Sequence, residues 1–386
     1  MDKTKEVAVS NTKPTRDNSY DIIRVIATLM IVLHHFFTTM DDYSCYVFSY
    51  LPFYRNGETM LSIGRIGVVI FCILSGALLI KRYNEKLQAK EYFKKRVLRV
   101  LIPHMVCFIL VFAYYWITRP TFFGKNWIPS ALLSLLGGDF WGTFTYEHFG
   151  FSNIWIVGEW FTSIILILYV LFPLLRWVYK KNKSIPTILI TILFFANLKY
   201  EILTYHDGWF SITNCLMCFW VGMLLEPIKH KFNKWVIMVT LALSIGLFIW
   251  NPANILGFMY LPVFIMGVLL FIMMTKLNFK TKATDYICKY SFEIYLIHHR
   301  VFILILPYII TKVAANTISE ILFFAILLWL TCKLSEYLQK LVNLVIKGID
   351  KIKLPTKKIN TADDSTTNVE NSIVVDSKTT SVEKQE

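Results

Sequence analysis

The stretch SYDIIRVIATLMIVLHHFFT, residues 19–38, decides how this chain is interpreted. It is long enough and apolar enough to cross a bilayer as a helix. Within it stand four ionisable residues: Asp21, Arg24, His34 and His35. Ionisable groups inside a membrane are energetically costly, so those that occur there most often have a function. The stretch therefore predicts a membrane helix that contributes to a functional site.

Helical geometry places Arg24 and His35 on nearly the same face of this helix. They are 11 residues apart, which brings their directions to within about 20° and separates them by about 16 Å along the axis. His34 points about 80° away from this line. A lone membrane histidine more often has a packing role, but the alignment with Arg24 favours chemistry here. His35 is thus the predicted base, because imidazole exchanges protons near neutral pH.

The composition of the whole chain indicates a multi-pass membrane protein. Its 386 residues are 55% hydrophobic, its mean hydropathy is +0.51, and apolar runs of about 20 residues recur from one end to the other. The net charge of +14 comes mostly from basic residues in short loops, where they set the orientation in the membrane. Nucleic-acid binding is therefore not expected.

Ten apolar segments predict an all-α fold, a polytopic integral membrane bundle of about ten transmembrane helices. Their approximate bounds are 21–40, 62–81, 100–118, 154–175, 185–201, 210–226, 235–251, 256–275, 291–311 and 317–340.

Basic residues accumulate after the second, fourth, sixth and eighth segments. This alternation predicts that both termini are cytoplasmic and that Arg24 lies near the cytoplasmic face of the membrane. The polar stretches 1–19 and 346–386 predict disordered cytoplasmic tails, which leaves a membrane domain at 20–345.

Two further motifs follow the first helix. Arg96 and Arg99 stand one helical turn apart where the third span begins, and an arginine pair at a membrane entrance can bind phosphate groups bidentately. The alternative is ordinary positive-inside bias. In the second span, Ser75 and Gly76 belong to a pattern of small residues that favours close helix packing.

Later spans add more polar groups. Glu159 lies near the start of the fourth span, and the ninth contains SFEIYLIHHRVF, with Glu293, Tyr295, His298 and His299. A proton relay through His35, Glu159 and His298 is chemically possible. A transporter or exporter of glycan or lipid-linked intermediates therefore stays open as an alternative function.

Two predicted outer loops, 41–61 and 119–153, combine carboxylates with tyrosine and tryptophan. Flat rings stack on apolar sugar faces and carboxylates accept hydroxyl hydrogen bonds, so the pattern suits a glycan. The alternative is an interfacial aromatic belt. Cys215 and Cys218 form a CxxC within an apolar segment, which favours buried packing, and no metal site is expected.

Five motifs together resemble the membrane acyltransferase family 3, whose members O-acylate surface polysaccharides, lipopolysaccharide, peptidoglycan and some small molecules. The arginine and histidine of its first span, with ten residues between them, match Arg24 and His35. The others are Gly67 to Ser75-Gly76, the basic helix from Arg96 to Pro103, the segment IWIVGEWFTSIILILYVLFPLL, and SFEIYLIHH. The chain departs from the pattern in the spacing of Glu159 and in lacking the proline that usually follows the late histidine.

The resemblance implies an O-acyltransferase that moves an acetyl group from cytoplasmic acetyl-CoA to a hydroxyl of a cell-surface or exported polysaccharide. It implies that His35 and Glu159 are catalytic. Donor binding would involve Asp21, Arg24, Ser75, Gly76, Arg96 and Arg99. Tyr295 and His298 would bind substrate. Membrane lipid is the remaining expected partner, and the sequence does not indicate an oligomeric state.

Overall fold

The computed structural model describes residues 17–41, 62–200, 204–205, 210–250, 260–310 and 317–351. The expectations for residues 1–16, for nearly all of the outer loop 41–61, and for residues 352–386 lie outside the described residues. Of the two predicted tails, only short pieces are described: Asp17 to Ser19, and residues 346–351, which continue the last helix to Lys351.

The described chain is almost entirely helical, which confirms the all-α fold class. The helices are α1 (Asn18–Asp41), α2 (Ile63–Tyr83), α3 (Ala89–Arg96), α4 (Ile102–Thr118), α5 (Trp127–Leu135), α6 (Gly142–Phe149), α7 (Glu159–Lys181), α8 (Ser184–Tyr200), α9 (Ile212–Leu225), α10 (Lys234–Trp250), α11 (Leu261–Met274), α12 (Lys282–Ile310) and α13 (Thr317–Lys351). A small antiparallel hairpin joins β1 (Thr204–Tyr205) to β2 (Phe210–Ser211) before α9.

Seven stretches of helix in the described chain are long and apolar enough to cross a membrane. They contain α1, α2, α3 with α4, α7, α9, α12 and α13. The other three predicted spans correspond to the shorter apolar helices α8, α10 and α11. A crossing helix needs about 20 apolar residues. The protein is thus a multi-pass membrane protein, while the number of ten spans stays a prediction.

One predicted span begins later than the sequence suggests. The fourth apolar segment was expected to be helical from residue 154, but residues 154–158 are not helical and α7 begins at Glu159. Gly158 has a left-handed backbone, with φ of +67°, which ends the preceding segment. Apolar composition alone cannot distinguish this segment from helix.

The loops that carry the excess of basic residues meet at one end of the bundle, which we call the basic end. Arg176 near the end of α7 donates hydrogen bonds to the backbone carbonyls of Tyr83, at 2.5 Å, and Asn84, at 2.8 Å, which joins α7 to the end of α2 and the loop after it. Lys276 donates to the carbonyl of Lys229 at 3.4 Å, joining the loops after α11 and α9. This arrangement agrees with the predicted alternation of loops between two sides of a membrane.

A cluster of charges fastens the start of α1 to this end. Lys81 lies 3.2 Å from the Asp17 carboxylate and Lys229 contacts the same oxygen. Both ammonium groups lie over the Tyr20 ring, whose hydroxyl donates to Glu226. Burial opposes ionisation of Asp17, but hydrogen bonds led by that from Lys229 outweigh it and lower the pKa of this carboxyl. The ionised Asp17 carboxyl therefore stabilises the fold fully at pH values above the ordinary pKa of an aspartate. This stabilisation is lost only as the pH falls through the lowered pKa of the folded protein.

The closest helix contact in the bundle joins α2 to α9. A Cβ atom placed on Gly76 would overlap the backbone carbonyl of Phe219, and one on Gly222 would overlap the carbonyl of Ile73. Small residues allow membrane helices to approach this closely, and van der Waals packing then holds them together. The contact positions α2 against α1, which also packs on α12.

We expect Gly76→Val to destabilise the fold, because the new side chain meets backbone rather than a flexible side chain. The cost should be at least about 1–3 kcal/mol, the usual penalty for overpacking. The measurement is the thermal unfolding midpoint of the purified protein in detergent. Gly246→Val on α10 is the matched control, since nothing lies within 4 Å of a Cβ there. Equal effects of the two changes would contradict the packing role.

Candidate functional site

The helices α1 and α12 run side by side and bring the first-span arginine and histidine against late residues. Arg24 contacts Cys288 through its guanidinium at 3.7 Å, and His35 contacts His299 with ring centroids 4.6 Å apart. Both pairs have the same sequence separation of 264 residues, so the two helices are parallel and in register over this length. The predicted alignment of Arg24 and His35 is therefore matched by a second row of side chains on α12.

Cys288 on α12 contacts two predicted donor-binding residues of α1. The Cys288 thiol donates to the Asp21 carboxylate at 3.3 Å and lies beside the Arg24 guanidinium. The side chains of Asp21 and Arg24 are half-buried. The Cys288 thiol thus contacts both Asp21 and Arg24.

His35 and His34 face different helices. The ring of His35 lies 5.0 Å from that of His298 and 4.6 Å from that of His299, both on α12. His34 instead hydrogen-bonds to the Ser62 hydroxyl at 3.2 Å and packs where a Cβ on Gly64 would overlap its ring. His34 is thus a contact to α2, whereas His35 belongs to a group of imidazoles.

A small pocket of about 10 Å³ adjoins this group of imidazoles. Its lining residues are His35, Ile156, Val157, Gly158, Tyr295, Leu296, His298, His299 and Arg300. The pocket therefore contains both predicted residues of the ninth span that were assigned to substrate. It is large enough for little more than a reacting group.

The non-helical segment 154–158 forms one wall of the pocket. Arg300 holds it by donating to the backbone carbonyls of Ile156, at 2.8 Å, and Trp155. The Tyr295 hydroxyl donates to the Gly158 carbonyl on the same segment. These bonds satisfy carbonyls that would otherwise lack partners inside the membrane.

A cavity of about 630 Å³ lies between the pocket and the basic end. Its lining includes four cationic residues: Arg24, Arg96, Arg99 and Lys289. Its other polar lining residues include Ser75, Ser291, Glu293, Gln339 and Asn343. Tyr295 lines the cavity and the small pocket, so this ring stands between the two spaces.

The helix geometry changes from α to π near Arg96 and Arg99. Between α3 and α4, residues Val97–Leu101 form a π-helical turn, a feature that is common at functional sites. The Arg96 guanidinium lies 5.6 Å from the Tyr92 ring centroid and 5.2 Å from that of Tyr169. Its Nε is buried without a hydrogen-bond partner in the described part of the chain. Arg96 is therefore positioned to accept an anionic ligand.

Comparison with known proteins identifies the family to which this chain belongs. A family model described as an acyltransferase domain matches residues 17–335. This chain belongs to acyltransferase family 3. No curated protein and no solved structure matches it. The family resemblance expected from the motifs is thereby confirmed, and the protein is a membrane acyltransferase.

The structure of this acyltransferase brings most of the predicted site residues together. Along one path it places the predicted donor-binding residues Asp21, Arg24, Ser75, Arg96 and Arg99 with Tyr295, His298 and His35. Gly76 is separate, because it faces α9 and is not among the residues that line the cavity. Glu159 begins α7 directly after the pocket residue Gly158, and its side chain lies outside the described residues. The roles assigned to all these residues stay predictions.

Sequence reasoning gave no role to several lining residues of the acyltransferase site. His299 is closer to His35 than His298 is, and Arg300 holds the pocket wall. Both follow His298 directly, where the chain lacks the proline that is usual in the family. Glu293 and Lys289 line the cavity, and the polar positions spaced along α12 could have indicated this.

Proposed function

We propose that this membrane acyltransferase moves an acetyl group from cytoplasmic acetyl-CoA to a hydroxyl of a cell-surface or exported polysaccharide. His35 acts as the base, and the protein resides in the bacterial plasma membrane. The observation that supports this most is the shared wall at Tyr295, where a cavity lined by four cationic residues meets the pocket of His35.

The cavity suits a coenzyme A thioester in size and charge. A volume of about 630 Å³ falls within the range of sites for extended organic ligands. The phosphate groups would contact Arg24, Arg96 and Arg99, whose guanidinium groups bind phosphate oxygens bidentately. Beyond the arginines the lining is largely apolar, including Phe71, Leu74 and Phe161.

The distance along α1 from Arg24 to His35 supports delivery of the acyl group to His35. Eleven residues of helix separate Arg24 from His35, a rise of about 16 Å. The extended arm that joins the phosphates to the thioester sulfur is of comparable length. Bound donor supplies an activated carbonyl at the Tyr295 end of the cavity.

The chain's own residues then provide the proton chemistry. His35 removes the proton from the acceptor hydroxyl, whose oxygen forms the new ester bond as the carbon–sulfur bond breaks. The proton held by the imidazole is transferred to the leaving thiolate, which restores neutral His35. His298 and His299 lie against His35 and would hold its ring in one orientation.

The predicted outer loop 119–153 exposes aromatic side chains that suit a glycan. Trp141 and Tyr146 are 41% and 65% exposed, and exposed rings can stack on sugar faces. Asp139, by contrast, is buried and accepts hydrogen bonds from Ser134 at 2.6 Å and Asn153 at 3.2 Å. We therefore assign Asp139 to the structure of this segment and not to the acceptor.

Release of free coenzyme A by the reconstituted protein tests the proposed function. With acetyl-CoA and de-O-acetylated surface polysaccharide, we expect free thiol to appear together with acetyl ester on the polymer, detected by NMR. Succinyl-CoA in parallel tests the choice of acyl group. No thiol release above that of empty vesicles would contradict the acetyl-CoA assignment. A transporter of glycan intermediates would behave in that way, but the family membership favours the enzyme.

A further inference from the structure

The large cavity contains a carboxyl group that the proposed transfer does not use. Glu293 on α12 is 6% exposed. Among the described residues that line the cavity, Glu293 is the single residue with a carboxyl side chain. Gln339 on α13 lines the same cavity. A buried carboxyl in a membrane helix is costly, which favours a function for this pair.

The depth of Glu293 separates it from the phosphate-binding arginines. Cys288, which contacts Arg24, precedes Glu293 by five residues on α12, a rise of about 7.5 Å. Tyr295, at the boundary with the His35 pocket, follows two residues later. Glu293 therefore lies between the level of Arg24 and the level of Tyr295.

The chemistry at this depth indicates which part of a ligand would meet the pair. A carboxylate repels phosphate, so Glu293 is unsuited to the anionic end of a donor. It accepts hydrogen bonds from N–H and O–H groups, and the Gln339 amide both donates and accepts. Other lining residues such as Phe161, Ile165 and Phe292 are apolar, so the carboxyl and the amide suit the polar groups of an otherwise apolar ligand chain.

We propose that Glu293 and Gln339 form the subsite for the amide-bearing arm of the acyl donor, binding the chain between its phosphates and its thioester. The inference rests on the proposed function, because it takes a coenzyme A thioester as the ligand. Glu293 accepts a hydrogen bond from an amide N–H of the arm, and the Gln339 side chain hydrogen-bonds to the polar groups of the arm from α13. Glu293 and Gln339 thus increase the affinity for a donor that has an amide-bearing arm, compared with the affinity for the nucleotide part of the donor alone.

Binding of two probes to the full-length protein in nanodiscs tests this subsite. The probes are coenzyme A and adenosine 3′,5′-bisphosphate, which keeps the 3′-phosphate and one of the two 5′-phosphates of coenzyme A and lacks the arm. We expect Glu293→Ala to weaken coenzyme A binding about tenfold, the usual effect of removing one buried hydrogen-bond acceptor. Affinity for the bisphosphate should change less than twofold. Glu293→Gln keeps an acceptor oxygen and should retain coenzyme A affinity to within threefold.

Asp285→Ala is the matched control, an exposed carboxylate on the same helix that pairs with Lys280; neither affinity should change. Equal loss of both probes in Glu293→Ala, or no loss of either, would overturn the subsite. If Glu293→Ala does not fold, Glu293→Met takes its place, because it keeps most of the side-chain volume and removes the acceptor oxygens. A tenfold loss of coenzyme A affinity in that variant, with the bisphosphate unaffected, supports the subsite, while unaltered affinity for both overturns it. Wild-type protein that binds neither probe would reject the proposed donor itself, a different result from selective failure at Glu293.

Discussion

His35→Ala should lower acetyl transfer to the polymer by about 10²- to 10⁴-fold, the usual contribution of a general base. The protein should still insert and fold, because His35 is half-buried and lines a pocket rather than filling a helix contact. The measurement is the initial rate of ester formation by reconstituted protein, with protein amount and thermal unfolding recorded in parallel.

His34→Ala is the matched control for this variant, one residue away on the same helix. His34 contacts Ser62 and the face of α2 at Gly64, so its loss should affect packing more than transfer. We expect a lower unfolding midpoint and a rate within tenfold of wild type. Equal loss of transfer in the two variants would contradict the assignment of separate faces to the two histidines.

Arg24→Ala should weaken coenzyme A binding by about 10- to 100-fold, because a charged hydrogen bond to phosphate contributes about 1.5–3 kcal/mol. Lysine at this position should recover only part of the affinity, since an ammonium group lacks the bidentate geometry of guanidinium. The effect should decrease at high salt, because dissolved ions screen the attraction between the guanidinium group and the phosphate groups. Equilibrium binding to nanodisc-embedded protein at two salt concentrations measures both effects.

Arg82→Ala provides the control for charge alone. Arg82 is exposed at the basic end, lies over the Tyr83 ring, and is not among the residues that line the cavity. Its removal lowers the net charge by the same amount as Arg24→Ala, yet coenzyme A affinity should change less than twofold. A comparable loss would mean that general electrostatic attraction, and not a phosphate contact, explains the Arg24 effect.

Periodicity predicted the part of the site that a single helix contains. The angular positions of Arg24, His35 and His34 follow from 100° per residue, and α1 presents the two histidines to different neighbours. The all-α membrane fold likewise follows from apolar runs. Both depend on local sequence, which a helix converts directly into geometry.

The sequence could not predict features that depend on distant parts of the chain. That α12 lies parallel to α1, with His299 beside His35, is set by packing between segments 264 residues apart. The non-helical wall at 154–158 depends on hydrogen bonds from Arg300 and Tyr295. Small residues at Ser75-Gly76 suit either close packing or a ligand, and only the contact with α9 identifies the packing role of Gly76.

The location of coenzyme A in an experimental structure of the complex tests the central claim most directly. We predict phosphate density against Arg24, Arg96 and Arg99, with the arm passing Glu293 and the sulfur beside Tyr295, facing His35. Coenzyme A bound anywhere else, or with its sulfur directed away from His35, would contradict the account.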